Sequence, residues 1–513
     1  MADIAEAKEQ TFPLALSNIT ALLILAVVAV ATRFVAIGNP VANPDDQFYL
    51  LVGDAMLNGQ WPYIDIWDRK PFGLFALFAA IAGIGGSSIL AMNLIALLFA
   101  LATAMVVRSI ALHYTGKKGA LLAGAAYLLV LPLFSGQTAQ APVFFNLPMS
   151  LAALALVRAG GAEVAAVRRL ALLAMLGCGL AISIKQVAAV EGAYFGLAFL
   201  WLMRRKGAAL PSIAASAALM ILVALLPTLI PLAVYAAAGP AHLEAFLHAN
   251  FVSIFQKSSL GTGAQRAGLL YFLLFMGPLI AFALIGLVQR MRENAGIEGR
   301  LLLGWVVAAV LGYLAVPQFY DQYALPMIAP LAVAAAIAFD RSSGLLMFVA
   351  LAVTCLLSGK ITAWQANREA AATFEKVSKA AGDARRGGCI LVNEGPVWLY
   401  QTTGACRLTP YLFPGHLNLV TEVDAVGIDT VTETKRILAL RPAVITFQPS
   451  TANRHNPATE LLVVAALRRD YQLVATVGPD ATPSMATLQL WQRRDLGPAP
   501  TNVPDLSRAT DVR

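Results

Sequence analysis

The sequence predicts a mainly α-helical protein that crosses a membrane many times and carries a small α/β domain at its C-terminal end. Hydrophobic residues make up 58% of the 513 residues and charged residues 13%, and the mean hydropathy is +0.70. These values lie far outside the composition of soluble globular proteins. From about residue 360 the composition changes to that of a soluble domain. We therefore predict a membrane domain at residues 1–359 and an external domain at 360–495.

Apolar segments separated by basic gaps predict how the chain crosses the membrane. The first apolar run, about residues 14–37, is long enough to span and shows no small-residue cleavage site, which predicts a retained helix. Lysine and arginine then cluster in every second gap, around residues 117, 168, 205 and 292. Placing these gaps in the cytoplasm gives about eleven spans, with the N-terminus inside and the C-terminal domain outside. The net charge of +8 reflects this topology, so it implies no nucleic-acid partner.

The first external loop, about residues 38–88, contains an apolar segment that is short for a span. Residues 71–86 number about 16, whereas a spanning helix needs roughly 20. If the segment crossed the membrane, every later basic cluster would change sides. We therefore predict a helix that lies in the membrane interface, with Phe72, Phe75 and Phe78 among its anchors.

The C-terminal domain alternates between strand and helix patterns. Strands are predicted at residues 389–393, 443–447, 472–477 and 487–492, and helices at 430–440 and 457–469. This alternation indicates a small α/β domain, followed by a disordered polar tail at 496–513. Cys389 and Cys406 flank one short unit of the domain. They can pair in an oxidising compartment, or they can remain free thiols.

Five acidic residues stand in the first external loop near the membrane boundary, where desolvation makes charge costly: Asp45, Asp46, Asp54, Asp65 and Asp68. One interpretation is a loop whose acids simply face water, and the other is a chemical site. A carboxylate at this position can act as a general base, and Asp45 and Asp46 are the candidate catalytic residues. The adjacent pair can also share a divalent metal ion, the one cofactor that the sequence leaves open.

Two lysines are candidates for binding a phosphate group of a ligand or a lipid. Lys185 stands at the turn of a tight helical hairpin between apolar runs, where an unpaired ammonium group would be costly. Its partner is either Glu191 nearby, an acid of the first loop or a ligand phosphate. Lys70 stands at the start of the interfacial helix and either neutralises a lipid phosphate or extends to the interface as an ordinary lysine. Tyr49, one helical turn after Asp45, belongs to the same predicted site.

Further polar residues are candidates for substrate binding. The external junction 318–330 brings aromatic and amide side chains to the same side of the membrane as the acidic loop. Aromatic residues at an interface are most often a structural belt, but these polar neighbours also fit a rim that binds a sugar or a headgroup. The predicted set consists of Tyr63, Asp65, Asp68, Gln318, Tyr320 and Tyr323. His242, His248 and His455 lack ligand spacing, so they are assigned no metal role.

The first loop carries a recognisable pattern. An acidic pair precedes a tyrosine (Asp45, Asp46, Tyr49), and Gly59, a Pro-Tyr element (Pro62, Tyr63), Asp68 and Lys70-Pro71 follow. This pattern resembles the first external loop of GT-C fold glycosyltransferases, especially the protein O-mannosyltransferase and aminoarabinose transferase superfamily and its bacterial lipid A and core galacturonosyltransferase-like branch. Lys185 and the Tyr-x-Leu-Pro junction (Tyr323, Leu325, Pro326) are similar as well. The likeness covers the layout of residues 14–340.

The resemblance implies transfer of a sugar from a polyprenyl-phosphate donor at the outer face of the membrane, with inversion at the anomeric carbon. It also implies that Asp45 acts on the acceptor. The chain departs from the pattern where Asp46 replaces a common glutamate and Phe72 a common proline. Relatives often have an acid at the outer start of the fourth span, where this chain has Gln137 and Gln140.

The sequence thus predicts a GT-C-like, inverting hexosyl- or pentosyltransferase of the bacterial inner membrane, with its site and C-terminal domain in the periplasm. Its expected partners are a polyprenyl-phosphate-linked sugar, membrane lipids and a cell-envelope acceptor, either a lipid such as lipopolysaccharide, a glycan or a protein. A lipid-linked donor fits the lack of a nucleotide-binding motif. The principal alternative is a transporter or flippase of lipid-linked sugars, with Lys185 and the acids along its pathway. A non-enzymatic envelope scaffold would leave Lys185 unexplained.

Overall fold

The structure is a computed structural model that describes residues 17–258, 261–293, 296–316, 318–449, 455–482, 485–500 and 506. The predicted start of the first apolar run, residues 14–16, lies outside this set. The helices of the membrane domain are α1 (Asn18–Arg33), α2 (Pro44–Leu57), α3 (Phe72–Gly85), α4 (Ile89–Ala111), α5 (Lys117–Val130), α6 (Ala141–Ala159), α7 (Val164–Ile184), α8 (Ala188–Arg205), α9 (Leu210–Ala238), α10 (Pro240–Leu247), α11 (Ser253–Gln256), α12 (Thr262–Arg292), α13 (Gly296–Leu314), α14 (Leu325–Phe339) and α15 (Gly344–Leu357).

Nine helices among the described residues are long and apolar enough to cross a membrane. They are α1, α4, α5, α6, α7, α9, α12, α13 and α14, some of them lengthened by a flanking 3₁₀ turn. The other two predicted spans are also helices. However, α8 carries Glu191, Arg204 and Arg205 within its 18 residues, and α15 has only 14 residues. Every predicted span is therefore helical, and the architecture is that of a multi-pass membrane protein.

The basic gaps of the chain meet at one end of the helix bundle. Lys118 donates from Nζ to the carbonyl of Arg341 at 2.7 Å, which joins the gap before α5 to the gap after α14. Lys206 donates to the carbonyl of Gly160 at 2.9 Å, which joins the gap after α8 to the gap after α6. Since the positive-inside rule counts basic residues in short loops, this clustering marks one end of the bundle as different from the other.

The opposite end of the bundle holds the first loop and the turns that the sequence places on the same side. The Arg33 guanidinium donates to the carbonyls of Gly136 and Thr138, the latter at 2.7 Å. The Ser135 hydroxyl donates to Asp321 at 2.5 Å. These contacts hold the segments after α1 and α5 beside the start of α14. The first loop is thereby fixed against the ends of distant helices.

Helix α14 forms the centre of the bundle. All of its residues except Pro326 are buried, and they are mostly alanine, leucine, isoleucine and valine. Small residues allow close helix approach in membrane proteins, where packing rather than hydrophobic burial holds helices together. The middle of the bundle is therefore filled by an apolar helix.

Helix α3 is too short to span, but its aromatic residues do not all face lipid. Phe75 and Phe78 are completely buried, whereas Phe72 is partly exposed. Phe78 packs edge-to-face on Tyr49 of α2 at 5.4 Å between ring centroids. The prediction that Phe75 and Phe78 are interfacial anchors was therefore wrong. Their rings fill the space between α3 and its neighbouring helices, so they pack against protein and not against lipid.

The C-terminal part of the described chain forms a small α/β domain. Its elements are α16 (Trp364–Ala384), β1 (Ile390–Val392), α17 (Leu399–Thr403), α18 (Gly415–Asn418), α19 (Thr430–Ala439), β2 (Val444–Phe447), α20 (Pro457–Asp470), β3 (Tyr471–Thr476) and β4 (Gln489–Arg493). The sheet order is β1-β2-β4-β3, with β1 parallel to β2 and the other pairs antiparallel. All predicted strands and both predicted helices are confirmed.

Cys389 and Cys406 form a disulfide, so the structure selects pairing over two free thiols. The predicted disordered tail lies largely outside the described residues. Within the described part, Leu506 is buried and its carbonyl accepts a hydrogen bond from the Gly478 backbone at 2.8 Å.

The C-terminal domain rests on the first external loop. The Trp67 backbone donates to the Pro410 carbonyl at 3.0 Å, and the Asn39 amide donates to Asn367 of α16 at 2.8 Å. Residues of this domain are therefore held directly above the acidic loop.

Candidate active site

A polar cavity of about 230 Å³ lies at the end of the bundle opposite the basic clusters. Six parts of the chain surround it: the first loop, the start of α6, the turn between α7 and α8, Lys257 after α11, the segment before α14, and residues 413–422 of the C-terminal domain. The acidic and basic residues that line it are Asp45, Asp68, Arg69, Lys70, Lys185, Lys257, His416 and Glu422. Charged groups that are far apart in the sequence therefore converge here.

Lys185 follows the last residue of α7, where the backbone becomes extended (φ −156°, ψ 122°). Its ammonium nitrogen lies 4.2 Å from the ring centroid of Tyr323, within cation–π range. Burial lowers the pKa of Lys185 to about 7, Lys70 acts in the same direction, and Asp45 and Asp321 oppose it. Lys185 and the first-loop acid Asp45 thus line one cavity.

Glu191, the local alternative partner of Lys185, has a different contact. Its carboxylate accepts a hydrogen bond from the Trp305 indole at 2.7 Å. That bond ties α8 to α13 inside the bundle, so Glu191 is not the counter-ion of Lys185.

Asp45 stands in the first turn of α2, and its local sequence explains why. Asn43 caps the helix by accepting a hydrogen bond from the Asp45 backbone at 2.9 Å, and Pro44 occupies the first helical position. The Asp45 carboxylate lines the cavity and makes no hydrogen bond or ion pair with any residue that the structure describes. It is therefore free to accept a proton or a hydrogen bond from a ligand.

Asp46, the neighbouring residue, points elsewhere. It is 2% exposed, and its Oδ2 accepts a hydrogen bond from the Ala139 backbone at 2.6 Å. Burial raises the pKa of Asp46 to about 7, and a hydrogen bond from Thr138 opposes this. Successive helical residues point about 100° apart, so adjacent acids in a helix do not converge. Asp46 holds α2 against the segment before α6 and does not line the cavity.

Asp68, Lys70 and His416 form a second charged group in the cavity. Lys70 Nζ and His416 Nε2 lie 3.9 Å and 3.8 Å from Asp68 Oδ1, respectively. Burial alone would raise the pKa of Asp68, but Lys70, His416 and Arg69 outweigh it and hold that pKa below its usual range. Burial lowers the pKa of His416 to about 4, so the imidazole is neutral at pH 7. The ion pair is therefore Lys70 with Asp68.

Arg69 and Lys257 add two cations, and a single carboxylate of the C-terminal domain bridges them. Arg69 forms an ion pair with Glu422, and Lys257 Nζ lies 2.9 Å from Glu422 Oε1. Burial lowers the pKa of Lys257 to about 7, assisted by Arg69 and Lys70. The four cations of the cavity thus face three carboxylates: those of Asp45, Asp68 and Glu422.

The predicted tyrosines occupy different places. Tyr49, Tyr320 and Tyr323 line the cavity, and Lys70 Nζ lies 5.7 Å from the ring centroid of Tyr49. The Tyr63 hydroxyl instead donates to the Lys70 carbonyl at 2.9 Å. Tyr63 therefore positions the backbone of Lys70 from behind.

Two other predicted residues lie outside the cavity lining. Asp65 accepts a hydrogen bond from the Trp61 backbone at 2.7 Å and closes a turn of the first loop. Gln318 precedes the cavity segment, and its neighbour Gln322 lines the cavity. Both are therefore structural or peripheral in this arrangement.

Sequence reasoning assigned no role to Lys257, His416, Glu422 or Arg69 in this cavity. Lys257 comes shortly after the mostly apolar residues 251–255, so the cost of burying a charge, which singled out Lys185, could also have indicated Lys257. His416 and Glu422 lie in a polar domain, where nothing in the sequence distinguishes them from surface residues. Only the docking of that domain brings them to the site.

A divalent metal ion was the one cofactor that the sequence left open. The described residues contain no group of three or more His, Cys, Asp or Glu side chains placed to hold a metal ion. The predicted pair also separates, because Asp46 is bonded to Ala139 while Asp45 lines the cavity. Asp45 and Asp46 therefore do not converge on a shared metal site.

No protein-family model matches the chain, and no curated protein matches it in sequence. Solved structures do resemble it. One is the crystal structure of ArnT from Cupriavidus metallidurans bound to undecaprenyl phosphate, with 15% identity, 94% of this chain and 100% of that chain covered, and a TM-score of 0.62. The apo form of ArnT gives 16% identity and a TM-score of 0.63 over the same shares.

A second likeness is to the archaeal oligosaccharyltransferase AglB from Archaeoglobus fulgidus in complex with an inhibitory peptide and a dolichol-phosphate. The identity is 10%, the TM-score is 0.55, and 94% of this chain and 75% of that chain are covered. Identities this low establish architecture and not activity. The chain has the GT-C fold, as the pattern of its first loop indicated.

Proposed function

We propose that this protein is an inverting glycosyltransferase that moves a sugar from a polyprenyl-phosphate donor to an acceptor in the cell envelope. The observation that carries the proposal is the convergence of four cations and one unpaired carboxylate, Asp45, in a single cavity at one end of the bundle. The fold supports it, because the similar ArnT structure is bound to undecaprenyl phosphate. The cations of the cavity can stabilise the departing phosphate, and Asp45 can accept a proton from the acceptor.

The cations serve the departing phosphate. When the bond between the anomeric carbon and the phosphate oxygen breaks, negative charge grows on the phosphate, and preorganised cations stabilise it most where water is excluded. Lys185 and Lys70 line the cavity together with Arg69 and Lys257, which form ion pairs with Glu422 of the C-terminal domain. We assign the donor phosphate to this group, with Tyr49 as part of its wall.

Asp45 serves the acceptor. As the acceptor oxygen bonds to the anomeric carbon from the face opposite the phosphate, its proton passes to the Asp45 carboxylate. The phosphate leaves with the electron pair of the broken bond, so charge and atoms balance without a further reactant. Attack from the opposite face inverts the configuration of the sugar.

The site is assigned to the periplasmic face of the bacterial inner membrane. The end of the bundle that carries the basic gaps fits the cytoplasmic side, so the cavity at the opposite end faces the periplasm in this assignment. The disulfide between Cys389 and Cys406 supports the same orientation, because such bonds persist in oxidising compartments.

A transporter or flippase fits these observations less well. Ionisable residues along a transport pathway would have to continue through the membrane. Here the centre of the bundle is filled by α14, whose buried residues are apolar, and the charged cavity is confined to one end. This favours a reaction at the surface over passage through the bundle.

The experiment is transfer of radiolabelled sugar from a polyprenyl-phosphate donor in membranes that contain the protein, for the wild type and Asp45→Asn. We expect kcat to fall at least about a hundredfold, since loss of a general base typically costs 10²–10⁴ in rate. Donor binding should remain within about threefold, because the cations stay in place.

Asp65→Asn is the matched control, since this residue belongs to the same loop but caps a turn outside the cavity. An amide oxygen can still accept that hydrogen bond, so the variant should transfer sugar normally. Full transfer by Asp45→Asn, or equal loss in both variants, would remove Asp45 from the assigned role.

A further inference from the structure

A second depression, of about 580 Å³, lies beside the charged cavity, between the first loop and the C-terminal domain. We call it the cleft. The two share a wall formed by Phe413, Gly415 and Leu419. Pro44 lines the cleft and the next residue, Asp45, lines the cavity. A group that entered through the cleft would therefore approach the proposed base directly.

The two spaces differ sharply in charge. The cavity holds all four cations described above, whereas the described residues that line the cleft include no lysine or arginine. Glu394 is the cleft's one charged residue within the described part of the chain, and amide and hydroxyl side chains accompany it: Asn39, Asn367, Gln448 and Thr482. A phosphorylated or otherwise anionic group in the cleft would be repelled by the Glu394 carboxylate. The cations that could bind such a group line the neighbouring cavity.

The sheet topology explains why these polar groups face the cleft. Strands β1 and β2 are parallel, and Glu394 and Gln448 follow their carboxyl ends. Ligands of α/β sheets bind at that edge, because the chain there turns away and leaves a crevice. Gly395 permits the turn after Glu394, since its φ of +102° is unfavourable for residues with a side chain.

Glu394 is held in place yet keeps one oxygen available. The Asn418 amide donates to Oε1 at 3.0 Å, and His455 Nε2 lies 3.5 Å from the same oxygen. Oε2 accepts no hydrogen bond from the residues that the structure describes, and the side chain is 16% exposed. Burial raises the pKa of Glu394 to about 7, which Asn418 opposes. Such a carboxyl group can bind a hydroxyl.

Resting on the function proposed above, we infer that the cleft binds the acceptor and that the part of the acceptor held there is uncharged and hydroxylated, as in a neutral sugar. Apolar side chains such as Phe413, Val41 and Leu419 provide most of the wall, which suits the C–H face of a sugar ring. Glu394 binds its hydroxyl edge. The acceptor oxygen then reaches Asp45 at the edge of the cleft formed by Pro44, the residue before Asp45.

Binding of simple probes to the purified full-length protein in nanodiscs tests this. Methyl β-glucoside is the uncharged probe, and glucuronic acid and glucose 6-phosphate are its anionic counterparts, all followed by saturation-transfer NMR at pH 8. We expect about millimolar binding of the glucoside that Ala366→Trp removes, and at least tenfold weaker binding of the anions in the fraction that Ala366→Trp removes, because the neighbouring cations can bind anions outside the cleft. Anions whose Ala366→Trp-sensitive binding is as tight as that of the glucoside, or a glucoside that does not bind, would overturn the inference.

Two variants locate the binding. Glu394→Gln should weaken the glucoside at least about fivefold, because a hydrogen bond to a charged group is stronger than one to a neutral amide. Ala366→Trp places a large ring in the cleft from an exposed position of α16 and should abolish binding without touching the core. Asp424→Asn, on the exposed surface of the same domain, is the control and should bind normally. Unchanged affinity in Ala366→Trp contradicts the assignment even if Glu394→Gln does not fold.

Donor binding separates this inference from the function on which it rests. A change in tryptophan fluorescence on addition of polyprenyl phosphate reports on the cavity, because Trp67 packs on His416 of the cavity lining at 4.7 Å between ring centroids. Glucoside binding with no donor binding counts against the proposed function. If the donor still binds but the glucoside does not bind, or binds outside the cleft, the result counts against the acceptor site alone.

Discussion

At the scale of single residues, the cavity holds two lysines whose charge changes near neutral pH. Burial lowers the pKa of both Lys185 and Lys257 to about 7. A lysine is charged below its pKa and neutral above it, so a rise in pH from 6 to 9 removes positive charge from the empty cavity. The phosphodiester of a polyprenyl-phosphate sugar keeps one negative charge over this range. Donor affinity must therefore fall as the pH rises.

We expect the Kd of the wild type for a polyprenyl-phosphate sugar to rise about tenfold between pH 6 and pH 9, since a hydrogen bond to a charged group contributes roughly 1.5–3 kcal/mol. Titration in nanodiscs at fixed ionic strength measures it. Replacing both lysines by methionine (Lys185→Met with Lys257→Met) should give weak binding that depends little on pH. Equal wild-type affinity at pH 6 and pH 9 would show that these ammonium groups do not meet the donor.

The sequence identified some members of this site and missed others for a physical reason. Asp45, Lys70 and Lys185 stood out because each places a charge at the edge of an apolar segment, where desolvation is costly. Glu422 lies in a polar domain, where a charge costs little, so its role depends on docking that no local pattern records. Asp46, the second candidate catalytic residue, lies outside the cavity lining because two adjacent acids on a helix point in different directions.

At the scale of elements, the start of α3 is set by a close contact with the end of α7. A Cβ atom on Gly73 would lie 2.6 Å from the carbonyl oxygen of Ser183 and 2.8 Å from its carbonyl carbon. No side-chain movement can relieve contacts with backbone atoms. This contact lies between Lys70, which precedes α3, and Lys185, which follows α7. The separation of the two lysines therefore depends on a glycine.

Gly73→Ala should push α3 away from α7, because overpacking of a close contact costs about 1–3 kcal/mol. We expect a lower thermal unfolding midpoint and weaker donor binding, measured by fluorescence-detected unfolding and by titration with polyprenyl phosphate.

Gly83→Ala is the matched control in the same helix. A Cβ atom there would meet only Leu57 Cδ1 at 3.8 Å, an ordinary contact. Since alanine favours a helix over glycine by about 0.5–1 kcal/mol, this variant should be as stable as the wild type or slightly more so. Comparable loss of stability in both variants would mean that the contact with Ser183 does not determine the position of α3.

The sequence predicted the helices and strands more completely than it predicted which residues pack against them. Apolar runs and β-rich segments gave the spans, the strands and the short helix α3, because length and residue type decide these locally. The sequence around α3 does not indicate which helices it packs against. Phe75 and Phe78 look alike whether they face lipid or protein, and they are buried because Tyr49 of α2 and Phe144 of α6 pack on them.

At the scale of the whole molecule, charge is divided between the two ends of the bundle. Basic gaps pair with backbone carbonyls at one end, and the cavity with its four cations and three carboxylates occupies the other. The alternation of basic and non-basic gaps along the sequence was enough to predict this division. The seating of the C-terminal domain over the cavity was not, since its contacts with the first loop, such as Asn39 with Asn367, join ordinary polar residues.

The division of charge makes a prediction about topology. Lys117→Cys at the basic end and Lys379→Cys on α16 both put a thiol at an exposed position. The native thiols interfere little, because Cys178 and Cys355 are buried and Cys389 is joined to Cys406. A membrane-impermeant maleimide added to intact spheroplasts should label Lys379→Cys and leave Lys117→Cys unlabelled. Detergent should make both reactive, which controls for accessibility. Labelling of Lys117→Cys in intact spheroplasts would mean that the bundle has the opposite orientation and that the cavity faces the cytoplasm. A reaction with a donor at the outer face would then be ruled out.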